Sequence, residues 1–342
     1  MIQKELLTSS YDFILPDELI ATHPASPRDS AKLLVYKKDS DTIIHTTFKE
    51  FQNYIPDNCA LIFNDTKVIK ARLFGKKESG GKIELLINKA LNAHDVNVYI
   101  RGKVKEQTLI HFDKSLDAKV ISLNEDGSRV VNFYIKNSIL RFEDILPIIE
   151  KIGHVPLPPY IQREDDKSDE GEYQSVFAKQ EGAVAAPTAS LHFTPQQHKK
   201  VCSNFKHAYV TLHVGSGTFK PVDTEIITKH PMHSEYYDIS NEAKKILDSD
   251  IKILSIGTTS TRTIEFYAKH GNIQRGEANL FLHPNNKPSR VNYLLTNFHL
   301  PKSTLLMLVA SFIGLEKTQE LYAEAIKKEY RFYSYGDAML IV

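Results

Sequence analysis

The chain has 342 residues, 42% of them hydrophobic and 25% charged, with a formal net charge of +1 at pH 7. This balance excludes disorder or collagen-like structure for the chain as a whole. It also excludes a uniformly basic nucleic-acid binder, although a local basic face can hide in a balanced sum. Its 2 cysteines, Cys59 and Cys202, exclude a disulfide framework and a four-thiolate zinc site, and they fit a reducing cytoplasm. At roughly 150 residues per domain, two domains are expected.

The first residues do not form a charged head followed by an apolar run, so no signal peptide is read there. The longest apolar stretch, Leu305 to Leu315, is shorter than the roughly 20 residues needed to span a bilayer. A soluble cytoplasmic protein without a membrane partner is expected.

In chain order, the strand pattern Cys59–Phe63 runs into Asn64-Asp65-Thr66, which is an Asx turn or the polar end of a site. The chain has 15 prolines, yet none falls between Pro56 and Pro147. Within that gap apolar residues recur at period two: Ile69, Ala71 and Leu73; Ile83, Leu85 and Ile87; Val96, Val98 and Ile100. Strand-like runs follow at Thr108–Phe112, Ala118–Leu123 and Arg129–Ile135, with turn signals at Ser79-Gly80-Gly81 and Asp126-Gly127. About six short strands predict a small barrel or sandwich. Its lysines and arginines, among them Lys70, Arg72 and Lys77, form a solvated surface or a face that tracks phosphates.

Beyond the gap, Pro156, Pro158 and Pro159 lead into the charged run Arg163–Glu170, which predicts a mobile exposed loop. Thr194-Pro195 reads as a helix start, with Thr as cap and Pro at the first helical position. Strand patterns then alternate with helical ones: Ile251–Ile256 precedes Thr261–His270, and Tyr293–Leu295 precedes the buried helix Ser303–Leu315. The fold class is therefore α/β: a mixed-sheet α/β domain from residues 1–66 and 148–342, with a small β domain inserted at residues 67–147.

Four motifs carry chemistry. Leu212–Phe219 has glycines at a strand end, but no helix opens after them as a dinucleotide loop requires, and Pro221 opposes one. His213, Gly215 and Thr218 still sit at the carboxyl end of a strand, where α/β sheets bind ligands. His230-Pro231-Met232-His233-Ser234-Glu235 is an acid–base cluster or a metal site, although Pro231 and the histidine spacing do not match a helical zinc motif. Gly257–Arg262 offers hydroxyls, including those of Thr258 and Thr259, and the Arg262 guanidinium at a strand-to-helix turn. That suits a carboxylate or phosphate, or simple helix capping. Asn297–Lys302, with His299, places polar groups at the entry of a buried helix, which points to function.

These motifs, in this order, resemble the S-adenosylmethionine:tRNA ribosyltransferase-isomerase family of the queuosine pathway. The resemblance is carried by Tyr11-Asp12-Phe13, Phe63–Val68, Gly153–Ile161, Gly182–Ala189 with Leu191-His192-Phe193, the four motifs above, and Tyr330–Met339. It runs from end to end, and it implies an α/β domain with an inserted small antiparallel β-barrel, in agreement with the proline-free gap. Three departures stand out: Ser190 where glycine is usual, Lys32 where arginine is usual, and Pro284–Pro288 in place of a Pro-Gly-Tyr segment.

The resemblance implies transfer and isomerisation of the ribosyl part of S-adenosylmethionine onto 7-aminomethyl-7-deazaguanine at the wobble position of a tRNA with a GUN anticodon. The products would be epoxyqueuosine, adenine and methionine. It implies no metal and no cofactor besides S-adenosylmethionine as co-substrate, and a monomer is expected. A base must remove a proton beside the sulfonium and an acid must assist adenine departure. Histidine suits both near neutral pH. His213, His233, Glu235 and His299 are the candidate acid–base residues. Asn64, Asp65, His154, Thr188, His192, Phe193, Gly215, Thr218, Phe219, Thr258, Thr259, Arg262 and Lys302 are the candidate substrate-binding residues, with Phe193 or Phe219 stacking on adenine and Arg262 holding the methionine carboxylate. Lys70, Arg72 and Lys77 are the candidate tRNA contacts. Two other classes remain open: a metal-dependent hydrolase on His230, His233 and Glu235, and a non-catalytic RNA-binding protein.

Overall fold

A computed structural model describes residues 3–219 and 222–342, and the side chains of Ser216 and Phe219 lie outside the described set. Strands β1 (Lys32–Lys37), β2 (Thr42–Thr47) and β3 (Cys59–Asn64) come first, and β4 (Thr66–Val68) follows. Next come β5 (Arg72–Lys77), β6 (Lys82–Ala90), β7 (Val96–Arg101), β8 (Leu109–His111), β9 (Leu116–Leu123), β10 (Arg129–Ile135) and β11 (Ser138–Ile139). Helices α1 (Phe142–Ile152) and α2 (Asp169–Glu172) precede β12 (Gln180–Ala183), α3 (Pro195–Asn204), β13 (Lys206–Leu212), β14 (Glu235–Ile239) and α4 (Asn241–Leu247). The chain closes with β15 (Lys252–Ile256), α5 (Thr258–Lys269), β16 (Arg275–Ala278), β17 (Tyr293–Asn297), α6 (Thr304–Ile313), α7 (Leu315–Lys327) and β18 (Ala338–Ile341).

Two compact units result. One holds the chain up to Thr66, residues 174–180 and residues 186–342; the other holds residues 67–173 and 181–185. The larger unit is built on a mixed sheet of order β16-β14-β13-β3-β15-β17-β18-β1-β2. At its centre β13, β3, β15 and β17 are mutually parallel. β3 is buried along its whole length, as a parallel strand covered on both faces must be. The carboxyl ends of these four strands bring Leu212, Asn64, Ile256 and Asn297 to one edge. Helix α6 is buried over Leu306–Ser311, and the Ser303 hydroxyl caps it by accepting the Leu306 N–H at 3.2 Å. Thr194 caps α3 in the same way through Gln197, with Pro195 inside the first turn.

The smaller unit is an antiparallel barrel, β10-β7-β6-β5-β8-β9, closed by pairing of β9 with β10. Leu73, Leu85, Val98, Val120 and Phe133 fill it. The period-two expectation placed the end of this unit at residue 147, but that position lies within α1. The helix continues the unit because Ile145 and Ile149 are buried in the barrel's own core. The charged run 163–170 is largely exposed, as expected, apart from one residue. Asp169 is fully buried and receives two hydrogen bonds from the Arg163 guanidinium, at 2.6 and 2.7 Å.

Candidate active site

The carboxyl edge of the parallel strands gathers most of the expected polar residues. Asn64, buried at the end of β3, is a clamp between neighbouring elements. Its amide nitrogen donates to Leu212 O and Thr259 Oγ1, both at 3.1 Å, while its oxygen accepts the N–H groups of Leu212 and Thr66. Next to it, Asp65 accepts a 2.6 Å bond from the Thr211 hydroxyl, and burial pushes its carboxyl up. Thr66 Oγ1 lies 2.8 Å from His213 Nδ1, and the imidazole stacks on Tyr236 with centroids 5.7 Å apart. Burial lowers the His213 pKa, which favours the neutral ring.

One strand further out, Glu235 is the hub of the glycine loop. Its Oε1 accepts the Gly215 N–H at 2.9 Å and the Thr218 hydroxyl at 3.2 Å, and lies 3.4 Å from His233 Nε2. Its Oε2 takes Arg262 Nη1 at 2.5 Å. Burial alone would raise this carboxyl. The Arg262 charge and then His233 outweigh it and hold the pKa at about 2. Arg262 is itself buried on α5; its Nε donates to Leu280 O at 3.2 Å, while its Nη2 is buried without a partner among the described residues. The His233 ring rests on Gly217, where a Cβ would stand 2.8 Å from His233 Cγ. The loop itself forms a short 3-10 turn at Ser216–Phe219, not an α-helix.

The turn Gly257–Arg262 also differs in detail from simple capping. α5 starts at Thr258, behind Gly257 at φ 92°, and no side chain caps it. The hydroxyls of Ser260, Thr261 and Thr263 bond to backbone carbonyls within the turn, and that of Thr259 accepts from Asn64. Thr258 lies at the helix start, nearly buried.

At the end of β17, Asn297 accepts the Thr188 hydroxyl at 3.0 Å and contacts His192 Nε2 at 3.3 Å. His192 is buried, and desolvation lowers its pKa to about 4. His299 is tied to the Thr296 hydroxyl at 2.7 Å, and burial lowers its pKa to about 3. Such rings stay neutral and locked near pH 7. Lys302 pairs with Asp12 at 2.6 Å, both half-exposed.

Several expected residues are placed elsewhere. Phe193 is fully buried, edge-on to Phe48, Phe51 and Phe63, so it offers no face for a base. The side chain of Phe219 is outside the described residues. His154 belongs to the barrel unit, where it bonds Asp165 at 3.0 Å. Of the expected tRNA contacts, Lys70 is paired with Glu150 and Glu170, and Arg72 with Glu84 and Leu157 O. Lys77 donates to Lys103 O. Lys70 and Arg72 are thus ion-paired, whereas Lys77 is held only by a carbonyl. Thr66, Gly217 and Asn297 lie inside the motifs read from the sequence, but none of them is among the named candidate site residues.

Glu235 has both oxygens engaged by protein donors, which leaves it unsuited to ligate a metal with His230 and His233. Among the described residues, no group of three or more His, Cys, Asp or Glu side chains is placed to hold a metal ion. No helix among them is long and apolar enough to cross a membrane.

The profile of a family described as "Queuosine biosynthesis protein" matches residues 8–341. The S-adenosylmethionine:tRNA ribosyltransferase-isomerase of Sulfurimonas denitrificans is 74% identical over 342 residues, covering 100% of both chains. That of Aliarcobacter butzleri is 59% identical, over 98% of this chain and 99% of its own. Among solved structures, the S-adenosylmethionine tRNA ribosyltransferase of Thermotoga maritima is similar with a TM-score of 0.53 and 31% identity, over 97% of this chain and 100% of that one. Matched from Thr8 to Ile341, the chain belongs to the queuosine biosynthesis protein family.

Proposed function

We infer that this protein is an S-adenosylmethionine:tRNA ribosyltransferase-isomerase. The observation that carries the reading is the 74% identity, end to end, with a relative of that name. The reaction moves the ribosyl part of S-adenosylmethionine onto 7-aminomethyl-7-deazaguanine in tRNA and rearranges it to the epoxycyclopentane of epoxyqueuosine, releasing adenine and methionine. The tRNA carries a GUN anticodon, and the enzyme acts as a cytoplasmic monomer with no cofactor beyond its co-substrate.

The geometry supports a division of labour among the polar residues. His213 is the better base for the proton beside the sulfonium: its ring is kept neutral by burial and oriented through Nδ1 by Thr66, leaving Nε2 as the working nitrogen. His233 is the candidate acid for adenine departure. It is half-exposed and placed by the Gly217 floor and Glu235. Glu235 and His299 are positioning residues in this reading, since a carboxyl held at about 2 and an imidazole at about 3 are poorly matched to proton transfer near neutral pH. Arg262 Nη2, buried and without a partner among the described residues, suits the methionine carboxylate.

The test is a nucleoside digest of tRNA bearing 7-aminomethyl-7-deazaguanine after incubation with the protein and S-adenosylmethionine. Epoxyqueuosine should appear together with free adenine and methionine. An unmodified base, with the protein folded, would refute the reading.

A further inference from the structure

The barrel carries an outward face that its own stability does not explain. Along β5, Leu73 points into the core, so Arg72, Phe74 and Lys76 point out. Register places them in cross-strand rows. Phe74 lies beside Glu84, which lies beside Arg101; Arg72 lies beside Leu86, then Tyr99; Lys76 lies between Lys82 and His111. At the centre, Phe74 is 50% exposed, although outward positions of a barrel are ordinarily polar.

The surroundings of Phe74 are ordered. The His154 ring meets it edge-on, with centroids 4.9 Å apart. That imidazole is fixed by Asp165 at 3.0 Å and by backbone bonds between His154 and Arg72. Glu84 lies 3.2 Å from the Arg101 guanidinium and 3.5 Å from that of Arg72, so the single carboxylate of these rows is already matched. Arg101 is nevertheless 85% exposed. Among the described residues, Lys76 and Lys82 make no ion pair. An open aromatic face ringed by cations with no free carboxylate is complementary to an unpaired base and its flanking phosphates.

We propose that the Phe74–His154 pair is a stacking platform for an unpaired nucleobase of the RNA substrate, with Arg101, Lys76 and Lys82 taking the adjacent phosphates. The proposal rests on the tRNA-modifying function and adds where the barrel unit grips the RNA. It adds to the expected contacts Lys70, Arg72 and Lys77, of which Lys70 and Arg72 are ion-paired within the unit.

The chain contains no tryptophan, so Phe74→Trp installs a single fluorophore on the platform. Its emission should be quenched on titrating the full-length variant with a synthetic anticodon stem-loop RNA, but not with a blunt RNA duplex. Phe74→Ala should raise the KM for tRNA on the order of 10-fold without moving the KM for S-adenosylmethionine, and Phe74→Tyr should restore it. Lys76→Ala with Lys82→Ala should lower the salt slope of RNA binding by about 0.7 per lysine. Wild-type turnover with an unchanged tRNA KM in Phe74→Ala overturns the platform alone. So does stem-loop binding that leaves the Trp emission unmoved, or quenching by an acidic protein but not by RNA. Absence of turnover in the wild type overturns the functional reading as well.

Discussion

The imidazole of His233 lies directly on Gly217: a Cβ built at that glycine would stand 2.8 Å from Cγ and 2.9 Å from Nδ1 of the ring. The same ring approaches Glu235 Oε1 at 3.4 Å, so glycine and carboxylate set its position from two sides. Gly217→Ala should push the ring away from Glu235. A displacement of that size costs turnover on the order of 100-fold when the ring takes part in chemistry. The expected result is a large fall in kcat with an unchanged urea midpoint. Wild-type kcat in this variant would remove His233 from the reaction.

Glu235 should leave a mark on acid stability. Its folded-state pKa is about 2 against an ordinary 4.5. The stabilisation is therefore complete above about pH 4.5 and is lost as pH falls towards 2, because the unfolded chain binds the proton first. Urea unfolding of the wild type should weaken across that window. Glu235→Gln, which keeps an acceptor for Gly215, should show a shallower slope there and lower stability at pH 7, since Arg262 loses its counter-charge.

Much of this arrangement was legible in the sequence, and the physics of each miss is specific. The barrel strands announced themselves because one face of each is apolar at period two. Helix α1 did not, because its Pro147 looked like a boundary while Ile145 and Ile149 were already packing into the barrel. The strand-end motifs do gather at one edge of the sheet, as their places at strand ends implied. Local sequence carries polarity but not burial, so Phe193 looked available and His299 looked titratable. The closeness of Arg262 on α5 to Glu235 on β14 is a long-range fact that local sequence does not carry. Likewise, Lys70 looked like a free cation until Glu150 and Glu170 came to it through the fold.

The buried imidazoles predict a second pH window. Burial lowers His299 to about 3 and His192 to about 4, while an unfolded histidine titrates at 6.5. Both rings stay neutral in the fold, so stability is complete above about pH 6.5 and falls as the unfolded chain gains protons below it. His299→Gln, which can still bond Thr296, should flatten the dependence between pH 6.5 and 5 by up to about 1.4 kcal/mol per pH unit. An unaltered slope would mean that His299 is accessible and titrates normally.

Ser190 is fully buried and its hydroxyl has no partner among the described residues. An unsatisfied buried hydroxyl costs about 1–3 kcal/mol, and removing it cancels that cost. Ser190→Ala should therefore raise the urea midpoint without changing the S-adenosylmethionine KM. A lower midpoint would show that the hydroxyl is satisfied in solution.

The role of Arg262 needs a design that separates binding from folding. Arg262→Ala alone would strand a buried Glu235 charge and cost about 3–5 kcal/mol of stability, so its loss of activity would be uninformative. The double variant Arg262→Met with Glu235→Gln removes both charges while keeping volume and the acceptor for the glycine loop. The informative readout is discrimination between S-adenosylmethionine and its decarboxylated analogue. If Nη2 holds the carboxylate, the wild type should prefer the intact molecule by about 10- to 100-fold, the range of a charged hydrogen bond. The double variant should bind both alike, and Glu235→Gln alone should keep the preference. Equal binding of the two ligands by the wild type would place the carboxylate away from Arg262. The guanidinium would then serve only to hold Glu235, and through it Gly215, Thr218 and His233, in place.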